Sequence, residues 1–299
     1  MESSRRFAVI DIGSNSVRMM LQGAAEKYSV TTRLGTGLAQ SGRLEPARAK
    51  HSAIVTARFA SEARKLGFIP LAYATSAVRD AENRSEFLEL VKLTSGIDID
   101  VLSGEREAKY AHQAVCGDRG GGLIDIGGAS MQFVSDNFAR SFPVGCVRGK
   151  DIAAELTAHL DQPDNYPAQR EALCGYIDKL VKPYIETLKS ECFAPCFGVG
   201  GTITTLCALN VDREAQSKLI GDGKSMSRAE LEKLINHLHA LGGLRARVGV
   251  LSVRHDVILY GAALLSKAME LLGLDSITAS LRDGLDGYLE AAIRGELGE

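Results

Sequence analysis

One stretch of this sequence occurs twice, and the repeat constrains the fold more than any other feature of the chain. The first copy reads FAVIDIGSNSVRM from Phe7, and the second reads GGLIDIGGASMQF from Gly121. Identical residues coincide at equivalent positions, among them Asp11 with Asp125, Gly13 with Gly127, and Ser16 with Ser130. Each copy is typical of a β-hairpin, with a short buried strand, a turn of glycine and small polar residues, and a second strand. A duplicated hairpin predicts a duplicated domain.

The elements around the hairpins repeat as well, and they predict the fold class. In the first half, apolar periodicity and turn residues predict a third strand at 28–34, a helix at 46–66, a strand at 69–74, a helix at 85–93, a strand at 97–102 and a helix at 104–115. In the second half they predict strands at 123–126, 131–135, 139–144, 195–199 and 276–279, and helices at 150–160, 167–189, from 202, 228–241, 254–272 and at the end of the chain. This order predicts two α/β domains related by duplication, each a mixed sheet flanked by helices.

The domain boundary is predicted at the glycine-dense stretch from Asp118 to Gly122. It separates an N-terminal domain, residues 1–118, from a C-terminal domain, residues 119–299, whose terminal helix can pack back on the first domain. A chain of 299 residues is long enough for two hydrophobic cores. Because duplication would place the two hairpin turns face to face, the functional site is expected in a cleft between the domains.

Composition excludes several classes of protein. With 45% hydrophobic and 24% charged residues, the chain is expected to fold rather than remain disordered. No apolar run approaches the roughly 18 residues that a membrane-spanning helix needs, and the N-terminus does not resemble a secretory leader, so a cytoplasmic location without a membrane partner is expected. The net charge of −2 argues against a broad basic surface for nucleic acid.

The cysteines are expected to be reduced thiols, since only Cys192 and Cys196 lie close in sequence and no second pair completes a zinc site.

Each hairpin turn brings a carboxylate beside exposed backbone N–H groups. Asp11 and Asp125 stand at the ends of strands, and small residues follow: Ser14, Asn15 and Ser16 in the first copy, and Gly127, Gly128, Ala129 and Ser130 in the second. Backbone amides bind phosphate oxygens, and a carboxylate binds Mg²⁺ directly or through water. A single Asp-Gly turn is more often only a hairpin. Two at equivalent positions of a duplicated chain favour a site for phosphate and its metal.

A third glycine cluster, FGVGGTIT, connects the strand at 195–199 to the next helix. Gly200 and Gly201 allow close approach of the backbone, and Thr202 is a candidate N-cap, so the start of the helix can receive a phosphate group. The alternative is a glycine-rich turn that only packs. No Gly-Lys-Ser/Thr follows, so this is not a Walker A sequence.

Glu107 is the candidate general base. At about 100° per residue, it falls on the apolar stripe of the helix at 104–115, whereas Glu105 lies on the opposite side. A carboxylate on the buried face at the start of a helix is out of place as a solvated charge, which favours a catalytic role. The structural alternative is a salt bridge to an arginine.

Three arginines are candidates for contacts with phosphate groups. Arg18 directly follows the first loop, Arg79 follows the strand at 69–74, and Arg254 opens the predicted helix at 254–272. A guanidinium group binds phosphate in bidentate fashion, although a single arginine is more often a surface ion pair.

No His-Glu-x-x-His zinc motif and no Gly-x-Ser-x-Gly nucleophile motif occurs, so metalloprotease and serine-hydrolase chemistry are unsupported.

Six motifs occur in order along the chain: FAVIDIGSNSVRM, RLGTGLAQSGRL, YATSAVRDAENRSEF, LSGEREAKYA, GGLIDIGGASMQF and FGVGGTITTL. Together they closely resemble the exopolyphosphatase / guanosine pentaphosphate phosphohydrolase family, from Phe7 to about Gly287. The resemblance implies a fold of the actin and sugar-kinase superfamily, with two ribonuclease H-like domains. It also implies Mg²⁺-dependent attack of water on a terminal phosphoanhydride, with release of orthophosphate from inorganic polyphosphate or guanosine pentaphosphate, and it suggests a homodimer.

Carried over by position, the resemblance implies that Asp11 and Asp125 are the carboxylates of the metal and phosphate loops and that Glu107 is the catalytic glutamate. It assigns substrate phosphate contacts to Ser14, Asn15, Ser16, Arg18, Gly127, Gly128, Ala129, Ser130, Gly200, Gly201, Thr202 and Arg254. The phase of the helix and the family pattern therefore select the same glutamate.

The sequence departs from the family pattern in the second loop, which usually reads Asp-x-Gly-Gly-Gly-Ser-Thr-Glu. Ala129 is expected to reshape the loop, because alanine adopts φ > 0 less readily than glycine. Gln132 keeps the capacity for hydrogen bonding but lacks the charge of the family's carboxylate, so a lower rate, weaker metal binding or loss of turnover is expected. By the same resemblance, the chain is expected to lack the additional C-terminal helical domain of longer members and to hold long polyphosphate more weakly.

The leading hypothesis is a Mg²⁺-dependent phosphoanhydride hydrolase, with polyphosphate and guanosine pentaphosphate unranked because both present a terminal anhydride. The rival is a catalytically impaired sensor that binds guanosine tetra- or pentaphosphate and signals by domain closure. Gln132 is the feature that favours the rival. A third hypothesis is an ATP-using kinase of the same superfamily.

Overall fold

The structure is a computed structural model that describes residues 5–24, 26–162, 165–190 and 193–297. It divides into two compact units. Unit 1 comprises the chain up to Ala114 together with the stretch from Gly284 onward, and unit 2 runs from Val115 to Asp283. The sequence predicts the boundary at residue 118 and allows the terminal helix to pack back on the first domain; in the structure that helix lies in unit 1.

The strands and helices have the following bounds. The strands are β1 (Phe7–Ile12), β2 (Ser16–Leu21), β3 (Lys27–Thr31), β4 (Ile69–Ala74), β5 (Ile99–Val101), β6 (Gly122–Ile126), β7 (Met131–Val134), β8 (Ala139–Phe142), β9 (Cys196–Val199), β10 (Ser225–Ser227) and β11 (Ser276–Ala279). The helices are α1 (Leu38–Ser41), α2 (Pro46–Lys65), α3 (Ser76–Arg79), α4 (Arg84–Ser95), α5 (Gly104–Val115), α6 (Cys146–Thr157), α7 (Tyr166–Val181), α8 (Ile185–Ser190), α9 (Gly200–Val211), α10 (Arg228–Ala240), α11 (Ile258–Leu271) and α12 (Gly284–Arg294).

Unit 1 is built on a mixed five-stranded sheet in the order β3-β2-β1-β4-β5. β1 pairs antiparallel with β2 and parallel with β4, as a hairpin followed by a helical crossover requires. One face of the sheet packs on α2 and α4 through a core that includes Ile10, Met19, Phe59 and Phe87. The predicted elements of this half therefore form one α/β unit.

α12 packs in unit 1, on the other face of the same sheet. Its Leu285 and Tyr288 share a core with Val9 and Tyr73 of the sheet. Gly287 lies so close to α5 that an added Cβ would stand 1.9 Å from the carbonyl oxygen of Tyr110. The terminal helix thus completes the first unit rather than the second.

Unit 2 is built on a mixed six-stranded sheet in the order β10-β11-β9-β6-β7-β8. β6 pairs antiparallel with β7 and parallel with β9, which repeats the arrangement of β1, β2 and β4. Its core includes Ile124, Phe133, Leu206 and Leu264 from the sheet, α9 and α11. α10 begins with a capping box between Ser227 and Glu230, which explains the start of the helix at Arg228.

Three predicted helices differ from those observed by an internal break or by four residues at the start. The helix predicted at 167–189 is broken into α7 and α8 by a 3₁₀ turn, Lys182–Tyr184, because Pro183 has no N–H group to continue the helical hydrogen bonds. α6 begins at Cys146 rather than at residue 150, since tertiary hydrogen bonds extend its first turn. The helix predicted from Arg254 begins only at Ile258, and Arg254 lies in the preceding turn.

Two further observations concern the whole described chain. Among the described residues, no helix is both long and apolar enough to cross a membrane. The predicted free thiols are confirmed for Cys116, Cys146, Cys174, Cys196 and Cys207, whereas Cys192 lies outside the described residues.

Candidate functional site

The two predicted hairpins form, and their turns have the same geometry. In unit 1 the N–H group of Gly13 donates to the carbonyl of Ser16 at 3.0 Å, and in unit 2 that of Gly127 donates to Ser130 at 3.0 Å. The cross-strand register is equivalent as well. It places Arg18 opposite Asp11 and Gln132 opposite Asp125.

In unit 1, Asp11 and Arg18 form an ion pair. Arg18 donates from Nε to Asp11 Oδ2 at 2.9 Å, and Nη2 contacts the same oxygen at 2.5 Å. The Asp11 side chain is 7% exposed and that of Arg18 28% exposed. The structure therefore brings together two predicted site residues, and a metal ion at Asp11 would compete with the guanidinium group for the carboxylate.

Hydrogen bonds tie the first loop to a second segment of unit 1, whose residues are not among the predicted site residues. The carbonyl of Asn15 accepts hydrogen bonds from the N–H groups of Thr32 at 3.0 Å and Arg33 at 2.9 Å. Ser14 Oγ lies 3.3 Å from Ser76 Oγ in the interior. Among the described non-glycine residues, Arg33 alone has a left-handed backbone, with φ of 54°. The RLGTG motif that follows Thr32 is the sequence signal for this clamp.

Glu107 lies on the inner face of α5, as its helical phase predicts. Its side chain is 16% exposed, whereas Glu105 is exposed. Arg79 Nη1 lies 3.4 Å from Glu107 Oε2 and donates to the carbonyl of Leu102 at 2.9 Å. The salt bridge that the sequence left open is therefore present, and it brings two more predicted site residues together.

In unit 2 the carbonyl groups of the second loop point toward the start of α6. The N–H group of Cys146 donates to Gly127 at 2.9 Å, and that of Val147 donates to Gly128 at 2.8 Å. Gly145 allows this approach, because a Cβ there would lie 2.5 Å from the Gly127 carbonyl oxygen. Within the described part of the chain, no backbone carbonyl group accepts from the N–H groups of Gly128 and Ala129. They are available to an anion.

Ala129, which is expected to reshape the second loop, lies there in ordinary backbone geometry. No residue from Gly127 to Ser130 has a positive φ, so the position occupied by Ala129 does not require glycine. Ala129 is instead buried, at 2% exposure, and its methyl group fits the interior.

The third loop carries its two glycines against two predicted site residues. Because β6 and β9 are parallel, the turns that follow them leave the same edge of the sheet. A Cβ on Gly200, whose φ is 83°, would lie 2.7 Å from Asp125 Oδ1, and a Cβ on Gly201 would lie 2.2 Å from Arg254 Nη2. The N-cap is Val199 rather than the predicted Thr202, which lies inside the first turn, and Val199 makes no side-chain cap at the start of α9. The loop thus brings a carboxylate, a guanidinium group and a helix N-terminus together.

The side chain of Thr202 faces the interior of unit 2. Thr202 is buried, and its hydroxyl group contacts the thiol of Cys146. Cys146 is not among the predicted site residues. Burial raises the pKa of the Cys146 thiol, and the nearby charge of Arg254 opposes the shift only in part. The thiol is therefore neutral, and Cys146 supports the third loop as a packed side chain.

The residues fit a magnesium ion only as part of a ligand complex. No group of three or more His, Cys, Asp or Glu residues in the described ranges could hold a metal ion. Mg²⁺ is commonly bound through one or two carboxylates, with substrate oxygens and water completing its shell. Asp125 is half-buried beside the loops and fits that pattern.

Comparison with known proteins gives a consistent result. The model of the Ppx/GppA phosphatase family matches residues 21–287. A relative from Aeromonas hydrophila, named guanosine-5'-triphosphate,3'-diphosphate pyrophosphatase, is 26% identical over 95% of this chain and 59% of its own length, so this chain spans less than two thirds of it. Exopolyphosphatase 1 of Mycobacterium tuberculosis is 27% identical over 94% of this chain and 87% of its own.

A solved structure described as the Aquifex aeolicus member of the Ppx/GppA protein family is similar in fold as well. It is 27% identical, with a TM-score of 0.73, over 99% of each chain. The match confirms the predicted fold class of duplicated α/β domains, each a mixed sheet flanked by helices. It also agrees with the resemblance drawn from the motifs.

Proposed function

This chain belongs to the Ppx/GppA phosphatase family, and we propose that it hydrolyses terminal phosphoanhydride bonds and releases orthophosphate. The substrate class is inorganic polyphosphate, guanosine pentaphosphate, or both. Relatives of this chain carry the names exopolyphosphatase and guanosine-5'-triphosphate,3'-diphosphate pyrophosphatase. Both names describe cleavage of a phosphoanhydride.

One observation carries the proposal: consecutive glycines at 200 and 201 lie against Asp125 and Arg254. A guanidinium group and backbone N–H groups bind phosphate oxygens, while a carboxylate attracts the cation that accompanies them. A Cβ at either glycine would occupy the space beside these side chains. The pattern supports a site for phosphate with its cation better than it supports a turn that only packs.

Each predicted site residue has a proposed role. Glu107 orients or deprotonates the attacking water, and Arg79 holds the Glu107 carboxylate in place. The N–H groups of Gly128 and Ala129, with Arg254, stabilise the charge that develops on the transferred phosphoryl group. The remaining residues of the loops are proposed to contact substrate phosphates or to shape those loops: Ser14, Asn15, Ser16, Gly127, Ser130, Gly200, Gly201 and Thr202.

Asp125, with Asp11, is the proposed ligand of Mg²⁺. When bound, Mg²⁺ would neutralise charge on the phosphate oxygens. In the structure Asp11 forms an ion pair with Arg18. We therefore propose that the main role of Asp11 is to orient that guanidinium group toward substrate phosphate.

The alternative function is a sensor that binds guanosine tetra- or pentaphosphate with little turnover. Gln132, which is buried and neutral, is the observation that favours it. A sensor of this kind would bind nucleotide tightly and would gain hydrolytic activity from Gln132→Glu.

We further propose a cytoplasmic location and a homodimer.

The net charge of −2 fits a polyanion that is held at its end by amides, a metal ion and a few arginines rather than along a basic surface.

A phosphate-release assay tests the proposal. The substrates are polyphosphates of several lengths, guanosine pentaphosphate and ATP, each with Mg²⁺ and with EDTA. We expect release from polyphosphate or guanosine pentaphosphate in the presence of Mg²⁺. Tight nucleotide binding without release would select the sensor, and phosphorylation of an acceptor by ATP would select a kinase.

A further inference from the structure

The side chain of Gln132 is buried, and its amide nitrogen has no hydrogen-bond acceptor among the described residues. It lies on β7, opposite Asp125 of β6 and Ser141 of β8, and is 1% exposed. In the part of the chain that the structure describes, its Nε2 has no hydrogen-bond partner, although Asp125 and Ser141 are its cross-strand neighbours.

An unpaired buried amide is costly, and most buried polar side-chain atoms in proteins are hydrogen-bonded. A leucine or methionine of similar volume would fill the same space without that cost. A donor that is kept without an acceptor in the protein therefore points to an acceptor supplied by a ligand.

The surroundings indicate the chemistry of that acceptor. Gln132 stands opposite Asp125, which is in turn followed by the second loop with the available N–H groups of Gly128 and Ala129. In the same unit, α9 begins at Gly200 without a side-chain cap, and the guanidinium group of Arg254 lies against Gly201. A ligand that satisfies several donors at once carries several oxygens and negative charge, as a phosphoryl group does.

We propose that Gln132 Nε2 donates a hydrogen bond directly to an oxygen of the bound phosphoryl group, so that binding of a phosphoanion, unlike its hydrolysis, persists when Mg²⁺ is removed. The inference rests on the proposed function and adds a residue that sets its ligand preference. An amide is neutral and attracts a phosphate oxygen. A glutamate at the same place would put two carboxylates opposite each other, which repels an anion and attracts a divalent cation.

The contrast between an amide and a carboxylate has a measurable consequence. Binding of a phosphoanion to this chain is expected to persist in EDTA, because its donors are amides and a guanidinium group. The Gln132→Glu variant is expected to depend on a divalent cation for the same binding. The difference lies in metal dependence and is independent of turnover.

Isothermal titration calorimetry with tripolyphosphate, in EDTA and in Mg²⁺, tests the inference. The variants are Gln132→Leu, which removes the donor, and Gln132→Glu, which keeps the shape. Gln216→Glu, an exposed site in unit 2, is the matched control for added charge. A hydrogen bond to a charged group corresponds to roughly tenfold to hundredfold in affinity, so Gln132→Leu should weaken binding in EDTA by about that factor.

Further expected results separate this inference from the proposed function. In EDTA, Gln132→Glu should bind at least as weakly as Gln132→Leu, should recover in Mg²⁺, and Gln216→Glu should bind as the parent does. Urea unfolding should show Gln132→Leu to be as stable as the parent, because the variant removes an unpaired donor. Equal affinity of the parent and Gln132→Leu in EDTA, with orthophosphate release intact, would overturn the inference alone. A parent chain that neither binds nor cleaves any phosphoanhydride would overturn the proposed function.

Discussion

Arg18 contacts a single carboxylate oxygen of Asp11 through two of its nitrogen atoms, Nε and Nη2, across the first hairpin. The equivalent pair in the second hairpin is Asp125 and Gln132, where no positive charge faces the carboxylate from across the strand. The two copies have therefore diverged in charge while keeping one backbone geometry. One copy presents a neutralised carboxylate with its arginine, and the other presents a carboxylate beside a neutral amide.

Replacing Arg18 with alanine should destabilise the protein, because it leaves the nearly buried Asp11 carboxylate without its guanidinium partner. Removing one member of a buried ion pair costs several kcal/mol, and the partial exposure of Arg18 lowers the expected loss to about 2–3 kcal/mol. Urea unfolding measures the loss. Asp11→Asn in the Arg18→Ala background should restore part of it in a double-mutant cycle.

The control for that loss is Arg43→Ala, since Arg43 pairs with Glu86 on the exposed surface and should cost less than about 1 kcal/mol. Equal losses for Arg18→Ala and Arg43→Ala would show that the Asp11 pair is no stronger than a surface pair.

Glu107→Gln should abolish orthophosphate release and leave the fold intact, because an amide cannot take the proton of the attacking water. The hydrogen-bonding contact with Arg79 can persist through the amide oxygen, so the unfolding midpoint should change little. Glu105→Gln, on the exposed side of α5, is the matched control and should retain full activity. Normal release by Glu107→Gln would remove Glu107 from the mechanism.

Gly201→Ala and Gly200→Ala should fail in different ways. At 201 the new methyl group meets the guanidinium group of Arg254, a flexible end that can move away, so phosphate binding should weaken while stability is kept. At 200 the methyl group meets the Ile126 carbonyl oxygen at 2.8 Å on a backbone with φ of 83°, so stability itself should fall. Calorimetric binding of tripolyphosphate and urea unfolding distinguish the two. Identical behaviour of the two variants would contradict the separate roles of the glycines.

Ala129→Gly, which restores the usual family residue, should not raise activity. The loop has no left-handed residue from Gly127 to Ser130, and glycine would add chain entropy to the unfolded state. The expected result is a loss of about 0.5–1 kcal/mol in the free energy of unfolding, with an unchanged rate. A clear gain in phosphate release from this single change would mean that Ala129 does restrict the loop.

Stability should fall in alkaline solution as buried thiols ionise. Burial raises the pKa of Cys196 and of Cys207 from 9.0 to about 12. Their contribution is fully present below pH 9, the unfolded value, and is lost progressively as the pH rises toward 12. Urea midpoints from pH 8 to 11 should decline less steeply in the double variant Cys196→Ala, Cys207→Ala. Parallel declines in the parent and the double variant would exclude these thiols as the cause.

Much of the local structure could be predicted from the sequence. The repeat located both hairpins, and apolar spacing placed β4 and α5 at their observed bounds. The helical phase of Glu107 also gave the correct face of α5. Patterns of this kind are local, because the period of a strand or helix and the chemistry of a turn are set by residues near in sequence. The errors lie where distant segments meet, as at the start of α6, whose first turn is completed by carbonyl groups of the second loop.

The sequence by itself determined the duplication, the fold class, the family and the identity of the candidate side chains. Only the tertiary structure decided that Arg18 pairs with Asp11 and that Ala129 has ordinary backbone geometry. It also decided that Arg254 lies against Gly201 and that α12 packs in unit 1. The physical reason is that charge pairing, the room for a Cβ and the satisfaction of a buried amide depend on atoms brought together by the fold. Gln132 is the clearest example. In the sequence it differs from the family pattern only by the absence of a charge, whereas in the structure its buried Nε2 has no acceptor and is proposed to bind an anion.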